Sequence, residues 1–273
     1  MTMAPCKIFC VFLLAVTAMI FSGCNIQNSL LYFPYSSAPS KESLESAQLK
    51  PWPSPSELYR GLTGINETAY VNGTVIIFHG NAGAAVDRAF YVKALGNLGY
   101  RILLAEYPRY GGRKGELGEK SFVLDGIETT RLAFEQFGEP LFLLGESLGC
   151  GVVAAVVHRT SFKIAGIILI TPWESLASIA REKFPFLPVR FFLTDTYDNM
   201  NNLKGFRGRV AVVGAENDEV IPVEHAKTLF NSLSNDTKQM WVVKGAGHNN
   251  WPMFTDRSWW KEIMNFTCGG DIK

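Results

Sequence analysis

Six short apolar runs recur along this chain with helix-length stretches between them: Thr74 to Phe78, Arg101 to Ala105, Leu141 to Leu144, Gly166 to Ile170, Arg209 to Val213 and Gln239 to Val243. Each is rich in Val, Ile or Leu and carries little polar alternation, as in a strand covered on both faces. The intervening stretches, Val86 to Leu98, Gly118 to Phe137, Leu148 to Arg159, Val223 to Leu233 and Thr255 to Phe266, are long enough for helices. Strands alternating with helices predict an α/β domain, a mostly parallel central sheet flanked by helices. A length of 273 residues suits one core of this kind, and 47% hydrophobic residues supply its interior. A formal charge of +1 with no basic run excludes a surface that tracks a phosphate backbone, so no nucleic-acid partner is expected.

The first residues read as a targeting segment: Lys7, then the apolar run Ile8 to Phe21, then Ser22-Gly23. The run is about 14 residues, short for a membrane span of about 20. Phe21-Ser22-Gly23-Cys24 resembles the lipobox of bacterial lipoproteins, with Phe where Leu is commoner. That resemblance implies cleavage before Cys24, acylation of Cys24 and a place on the periplasmic or extracytoplasmic face of a membrane. An ordinary signal peptide and an uncleaved signal anchor are the alternatives. Residues 24–57, with Pro34, Pro39, Pro51, Pro53 and Pro55, are read as a tether or ordered entry strip without regular helix, and 58–273 as the folded domain. Within that domain the aromatic-rich stretch 172–203 interrupts the alternation, and a small cap or a surface crossover is expected there.

The chemistry centres on Gly145-Glu146-Ser147-Leu148-Gly149. A G-x-S-x-G pentapeptide arises readily by chance in a chain with 25 glycines, but here it joins a strand-like run to a helix-like one. Strand, tight turn and helix is the setting that exposes a nucleophilic serine. A serine hydroxyl needs a base, and four histidines are available. His158 lies along the helix that follows and His225 beside Glu224 is expected to be solvated. His248, in the glycine-rich Gly245-Ala246-Gly247-His248 directly after the last strand, is placed at the sheet's carboxyl edge. Asp218, after the preceding strand, is the carboxylate expected to orient it, with Glu216 and Glu219 competing. Backbone amides of Leu148 and Asn81, with Ala82 as substitute for Asn81, are expected to meet the oxyanion, and His79 to fix their loop. No phosphate-cradling GxxxxGK[ST] or GxGxxG and no CxxC pair is present. Cys150 is read as a packed thiol rather than half of a disulfide.

Taken in order, these motifs resemble the α/β-hydrolases. Phe78-His79-Gly80-Asn81-Ala82-Gly83 is similar to the oxyanion loop of the membrane-tethered ABHD-type serine hydrolases. Tyr107-Pro108-Arg109-Tyr110-Gly111-Gly112 is similar to that branch's Tyr-x-x-Tyr-Gly loop. The branch often has Tyr-Arg-Gly-Tyr-Gly, so Pro108 and Arg109 depart from it. The resemblance covers Gly73 to Phe266 and implies a triad hydrolase with neither metal nor organic cofactor. Expected chemistry is cleavage of an ester or thioester through an acyl-enzyme, on a small-molecule or lipid acyl substrate. Phe184, Phe186, Phe191 and Phe192 suggest an apolar acyl group. A peptidase of the same fold and a catalytically inactive hydrolase-like binding lipoprotein are the rival readings.

Overall fold

The computed structural model describes residues 27–53, 59–65, 72–186, 188–189, 193–234 and 236–270. The expected targeting segment with Cys24, and Phe191 and Phe192 of the expected cap, lie outside the described residues. Among those described, no helix is long and apolar enough to cross a membrane.

Eight strands form one sheet: β1 (Leu49–Trp52), β2 (Gly61–Gly64), β3 (Thr74–Phe78), β4 (Arg101–Ala105), β5 (Leu141–Glu146), β6 (Ile164–Ile170), β7 (Arg209–Ala215) and β8 (Lys238–Val243). Their spatial order is β1-β2-β4-β3-β5-β6-β7-β8. Only β2 runs against its neighbours; every other pairing is parallel. The main helices are α1 (Phe90–Gly96), α2 (Glu119–Phe137), α3 (Leu148–Arg159), α4 (Leu176–Lys183), α5 (Val223–Ser232) and α6 (Arg257–Cys268).

Burial of both sheet faces explains the uninterrupted apolar runs. Ile76, Phe78, Leu143, Ile167 and Val212 join one core with residues of α2, α3 and α5. Their chain neighbours Val75, Ile77, Leu144, Ile168 and Val213 join the other core with Tyr91 and Leu95 of α1 and Trp260, Ile263 and Met264 of α6. The two-residue period thus sends alternate side chains into two interiors, and none of these positions can be polar. β3 lies between β4 and β5, so the connections leaving β3 and β5 diverge. A crevice at the carboxyl ends of the strands is expected at such a reversal.

The N-terminal strip departs from the expected boundary at residue 57. β1 is an edge strand of the sheet, with Leu49 and Trp52 buried, and Trp52 Nε1 donates to Gln136 Oε1 at 2.9 Å. Pro51 is accommodated because an edge strand need not donate on its outer side. A short helix, Lys41–Ser46, fits between Pro39 and Pro51, with the Ser40 hydroxyl accepting from the Ser43 amide at 3.1 Å. Further upstream, Phe33–Pro34 pairs in parallel with Ala82–Gly83. Asp195 anchors the strip, accepting from Gln27 Nε2 at 2.7 Å, from the Glu119 amide at 3.0 Å and from the Tyr32 hydroxyl. Burial pushes the Asp195 carboxyl above the usual carboxylate range.

The stretch 172–203 contains α4 and a short helix, Asn199–Asn202, but its described residues do not roof the crevice. Phe184 and Phe186 point outward, with Phe186 97% exposed. If the strip belongs to the domain, Trp52→Ala costs about 3–5 kcal/mol of stability, as for other buried aromatics, measured as a lowered urea midpoint. A free tether would leave that midpoint unchanged.

Candidate active site

The turn at Ser147 requires both flanking glycines. Ser147 sits at φ 50° and ψ −113°, a strained conformation for a residue with a side chain. A Cβ on Gly145 would lie 2.5 Å from the Gly149 carbonyl oxygen, and one on Gly149 only 2.0 Å from that of Phe78. The Ser147 amide donates to Ile170 O at 2.9 Å, tying the turn to β6.

His248 and Asp218 converge on that serine from the ends of β8 and β7. Ser147 Oγ lies 3.1 Å from His248 Nε2, and His248 Nδ1 lies 2.8 Å from Asp218 Oδ2. The second oxygen, Asp218 Oδ1, accepts from the amides of Val220 at 2.9 Å and Ile221 at 2.7 Å. Asp218 is buried, so this chain of hydrogen bonds has one arrangement. The rival carboxylates are engaged elsewhere. Glu216 pairs with Lys244 at 2.9 Å, a bond that holds it below the usual carboxylate range, and Glu219 accepts from the His248 backbone amide at 3.3 Å.

The loop after β3 is fixed from four sides. His79 is buried, with Nδ1 2.7 Å from Gly80 O and Nε2 3.1 Å from Glu106 Oε1. The Tyr107 hydroxyl donates to His79 O at 2.8 Å and the Tyr110 hydroxyl to Asn81 O at 2.7 Å. The Phe33 amide also donates to Asn81 O, at 2.9 Å, while Asn81 Nδ2 donates to Leu31 O at 2.8 Å. Among the described residues no other hydrogen bond takes up the Asn81 or Leu148 backbone amide. The departure at Arg109 has a structural counterpart: its φ is 74°, the left-handed backbone that glycine adopts without strain.

A cleft of about 300 Å³ opens over Ser147 and His248, lined also by Asn81, Asp87, Arg88, Phe90, Glu146 and Trp251. Arg88 and Tyr91 were not singled out by sequence, because isolated residues in a helix-like stretch carry no motif. Arg88 Nε donates to Glu146 Oε2 at 3.0 Å and the Tyr91 hydroxyl to Glu146 Oε1 at 2.5 Å. They hold the residue that precedes Ser147 and so brace the turn. His158 is exposed along α3, as its position suggested. His225 is not solvated as expected. It is buried between Glu174 at 2.7 Å and Glu182 at 2.8 Å, carboxylates that the 172–203 stretch brings to α5.

Comparison with known proteins agrees with this architecture. The model of the serine aminopeptidase S33 family matches residues 69–192. An uncharacterized protein of Mycobacterium tuberculosis is 30% identical over 196 residues, 70% of this chain and 68% of that one. The lysophosphatidylserine lipase ABHD12 of Gallus gallus is 27% identical over 177 residues, covering 58% of this chain but only 46% of its own length. Among solved structures, the esterase Pf2001 of Pyrococcus furiosus shares the fold with a TM-score of 0.65 at 15% identity, over 86% of this chain and 96% of that one. The chain therefore belongs to the α/β-hydrolase family of serine hydrolases.

Two expectations follow from the packing. Gly149→Ala should prevent recovery of folded protein, because the clash is with backbone; a native circular-dichroism spectrum and melting point would contradict this. Cys150 is fully buried, and burial pushes its thiol well above the ordinary range, whereas Cys268 is exposed. Iodoacetamide at neutral pH should therefore modify Cys268 and spare Cys150 in native protein, read by peptide mass spectrometry.

Proposed function

We propose that this protein is a serine hydrolase that cleaves carboxylic ester or thioester bonds through an acyl-enzyme. The observation that carries the proposal is the unbroken series Asp218–His248–Ser147 on a strained turn, at 2.8 and 3.1 Å. Asp218 keeps the His248 proton on Nδ1, leaving Nε2 free to accept from Ser147 as its oxygen attacks the carbonyl carbon. The amides of Leu148 and Asn81 meet the charge that develops on the carbonyl oxygen. His248 then gives its proton to the departing alcohol or thiol. Water enters, loses a proton to His248 and attacks the acyl carbon; Ser147 leaves with that proton and the free acid departs.

The substrate we favour is an amphiphilic acyl ester. Phe90 and Trp251 offer apolar contact at the cleft, while Asn81, Arg88 and Asn249 present polar groups beside Ser147. The lipase named among the relatives acts on a lipid ester of this general kind. The described aromatic residues of 172–203 do not line the cleft, so the acyl preference is assigned to Phe90 and Trp251 instead. We propose in addition that residues 1–24 place the enzyme at the extracytoplasmic face of a membrane through acylated Cys24.

A peptidase is the second reading, favoured by the family whose model matches. Asp87 and Glu146 both reach the cleft, as a site for a substrate amine would require. Against it, Glu146 is already matched by Arg88 and Tyr91. A panel of acyl esters, thioesters and aminoacyl amides separates the two readings, and turnover of the amides alone would overturn the esterase. A fluorophosphonate probe should label the parent and not Ser147→Ala; persistent labelling of the variant would remove Ser147 from its role. Asp218→Asn should lower kcat/KM by roughly 10³- to 10⁴-fold, with Glu216→Gln and Glu219→Gln far milder.

A further inference from the structure

Six of the twelve exposed large apolar side chains among the described residues lie on or beside the walls of the cleft. Leu30, Phe33 and Tyr35 lie on the strip that runs beside Asn81–Gly83, one wall of the cleft. Phe90 lines the cleft itself, and Met253 and Phe254 follow Pro252 on its other wall. Phe33 is 51% exposed and Met253 85% exposed. Apolar side chains left in water around the mouth of a site mark a surface that another phase or molecule covers.

Chain length identifies what covers it. Gln27 is held within the domain by Asp195, through its side-chain amide, and its carbonyl oxygen accepts from the Thr194 amide at 2.7 Å. Cys24 is three residues earlier, and three residues span at most roughly 10 Å. An apolar phase that receives the Cys24 lipid must therefore lie close to Gln27, and one that receives the Ile8–Phe21 run, which ends six residues before Gln27, lies within roughly 20 Å of it. The strip leads from there directly to Leu30 and Phe33, beside the cleft. Residues 27–53 provide no stand-off, because they are spent on the domain.

We infer that the rim of the cleft, with Leu30, Phe33 and Tyr35 on one side and Phe90, Met253 and Phe254 on the other, docks on the lipid bilayer. The cleft then opens toward the membrane, and an acyl ester reaches Ser147 from the lipid phase without crossing bulk water. The contact is apolar rather than electrostatic, since the chain has no basic run and a formal charge of +1. The inference rests on residues 1–24 directing the chain to a membrane; its extension to substrate entry rests on Ser147 as nucleophile.

The test is depth quenching on the full chain in phosphatidylcholine vesicles that carry a nitroxide-headgroup lipid. A fluorophore is attached through Phe33→Cys, Met253→Cys or, as a control, Lys163→Cys, each in a Cys6→Ser, Cys10→Ser, Cys268→Ser background, with Cys24 blocked by its lipid and Cys150 by burial. Lys163 is exposed and precedes β6, at the opposite edge of the sheet from Ser147. Quenching at positions 33 and 253 should exceed that at 163 at least threefold and be insensitive to salt. Protein that sediments with the vesicles but is quenched equally at all three positions overturns the docking face and leaves the anchor standing. That outcome would also follow if another protein covers the rim. Protein that stays in solution overturns both. Fluorophosphonate labelling of Ser147, scored on the same samples, reports separately on the hydrolase reading, because quenching does not depend on activity.

Discussion

The close approach of two backbones, α3 at Gly149 and β3 at Phe78, is the constraint on which the site depends. No side chain fits between them, since a Cβ would stand 2.0 Å from the Phe78 carbonyl oxygen. The approach brings the turn that carries Ser147 against the loop that carries Asn81, and it does so where the sheet order reverses. The strain at Ser147, of the order of 1–3 kcal/mol, persists because β6, α3 and the Glu146 contacts all hold the turn. A looser junction would relax that strain and move the hydroxyl away from His248.

Around this junction the polar groups are arranged so that each side chain has one orientation. Asp218 has both oxygens engaged, one by two backbone amides and one by His248. His79 and Glu106 form a buried pair, and Glu106 Oε2 also accepts from the Ala85 amide at 3.0 Å. Removing one member of a buried pair leaves the other uncompensated, which makes such contacts rigid props rather than adjustable ones. Tyr107 and Tyr110 add their hydroxyls to the same loop. The Tyr-x-x-Tyr-Gly pattern therefore acts as a brace, and the departure at Pro108 and Arg109 leaves both braces in place.

The N-terminal strip changes how the domain is understood. Gln27 and Tyr32 bond to Asp195 across 168 and 163 residues of sequence, and Phe33 and Tyr35 bond to the loop that lines the cleft. The strip, the cleft wall and the sheet edge are thereby held as one unit. Under the membrane docking proposed above, chain connectivity would link orientation at the bilayer to access to the site.

Local sequence determined the sheet and marked the residues that the fold brings together at the candidate site. The six apolar runs match β3 to β8 within a few residues, because burial on both faces leaves a mark that is read along the chain without knowing what lies opposite. Gly145, Ser147 and Gly149 were legible for a similar reason: a tight turn restricts its own residues. His248 and Asp218 followed from their places after strands. Only tertiary structure decided that Glu216 and Glu219 are occupied by Lys244 and a backbone amide, that Arg88 and Tyr91 brace Glu146, and that His225 is buried between two glutamates. It also decided that a proline-rich strip is an edge strand and not a tether. The side-chain outcomes depend on partners 28 to 58 residues away, and no local period or spacing records a contact across such a separation.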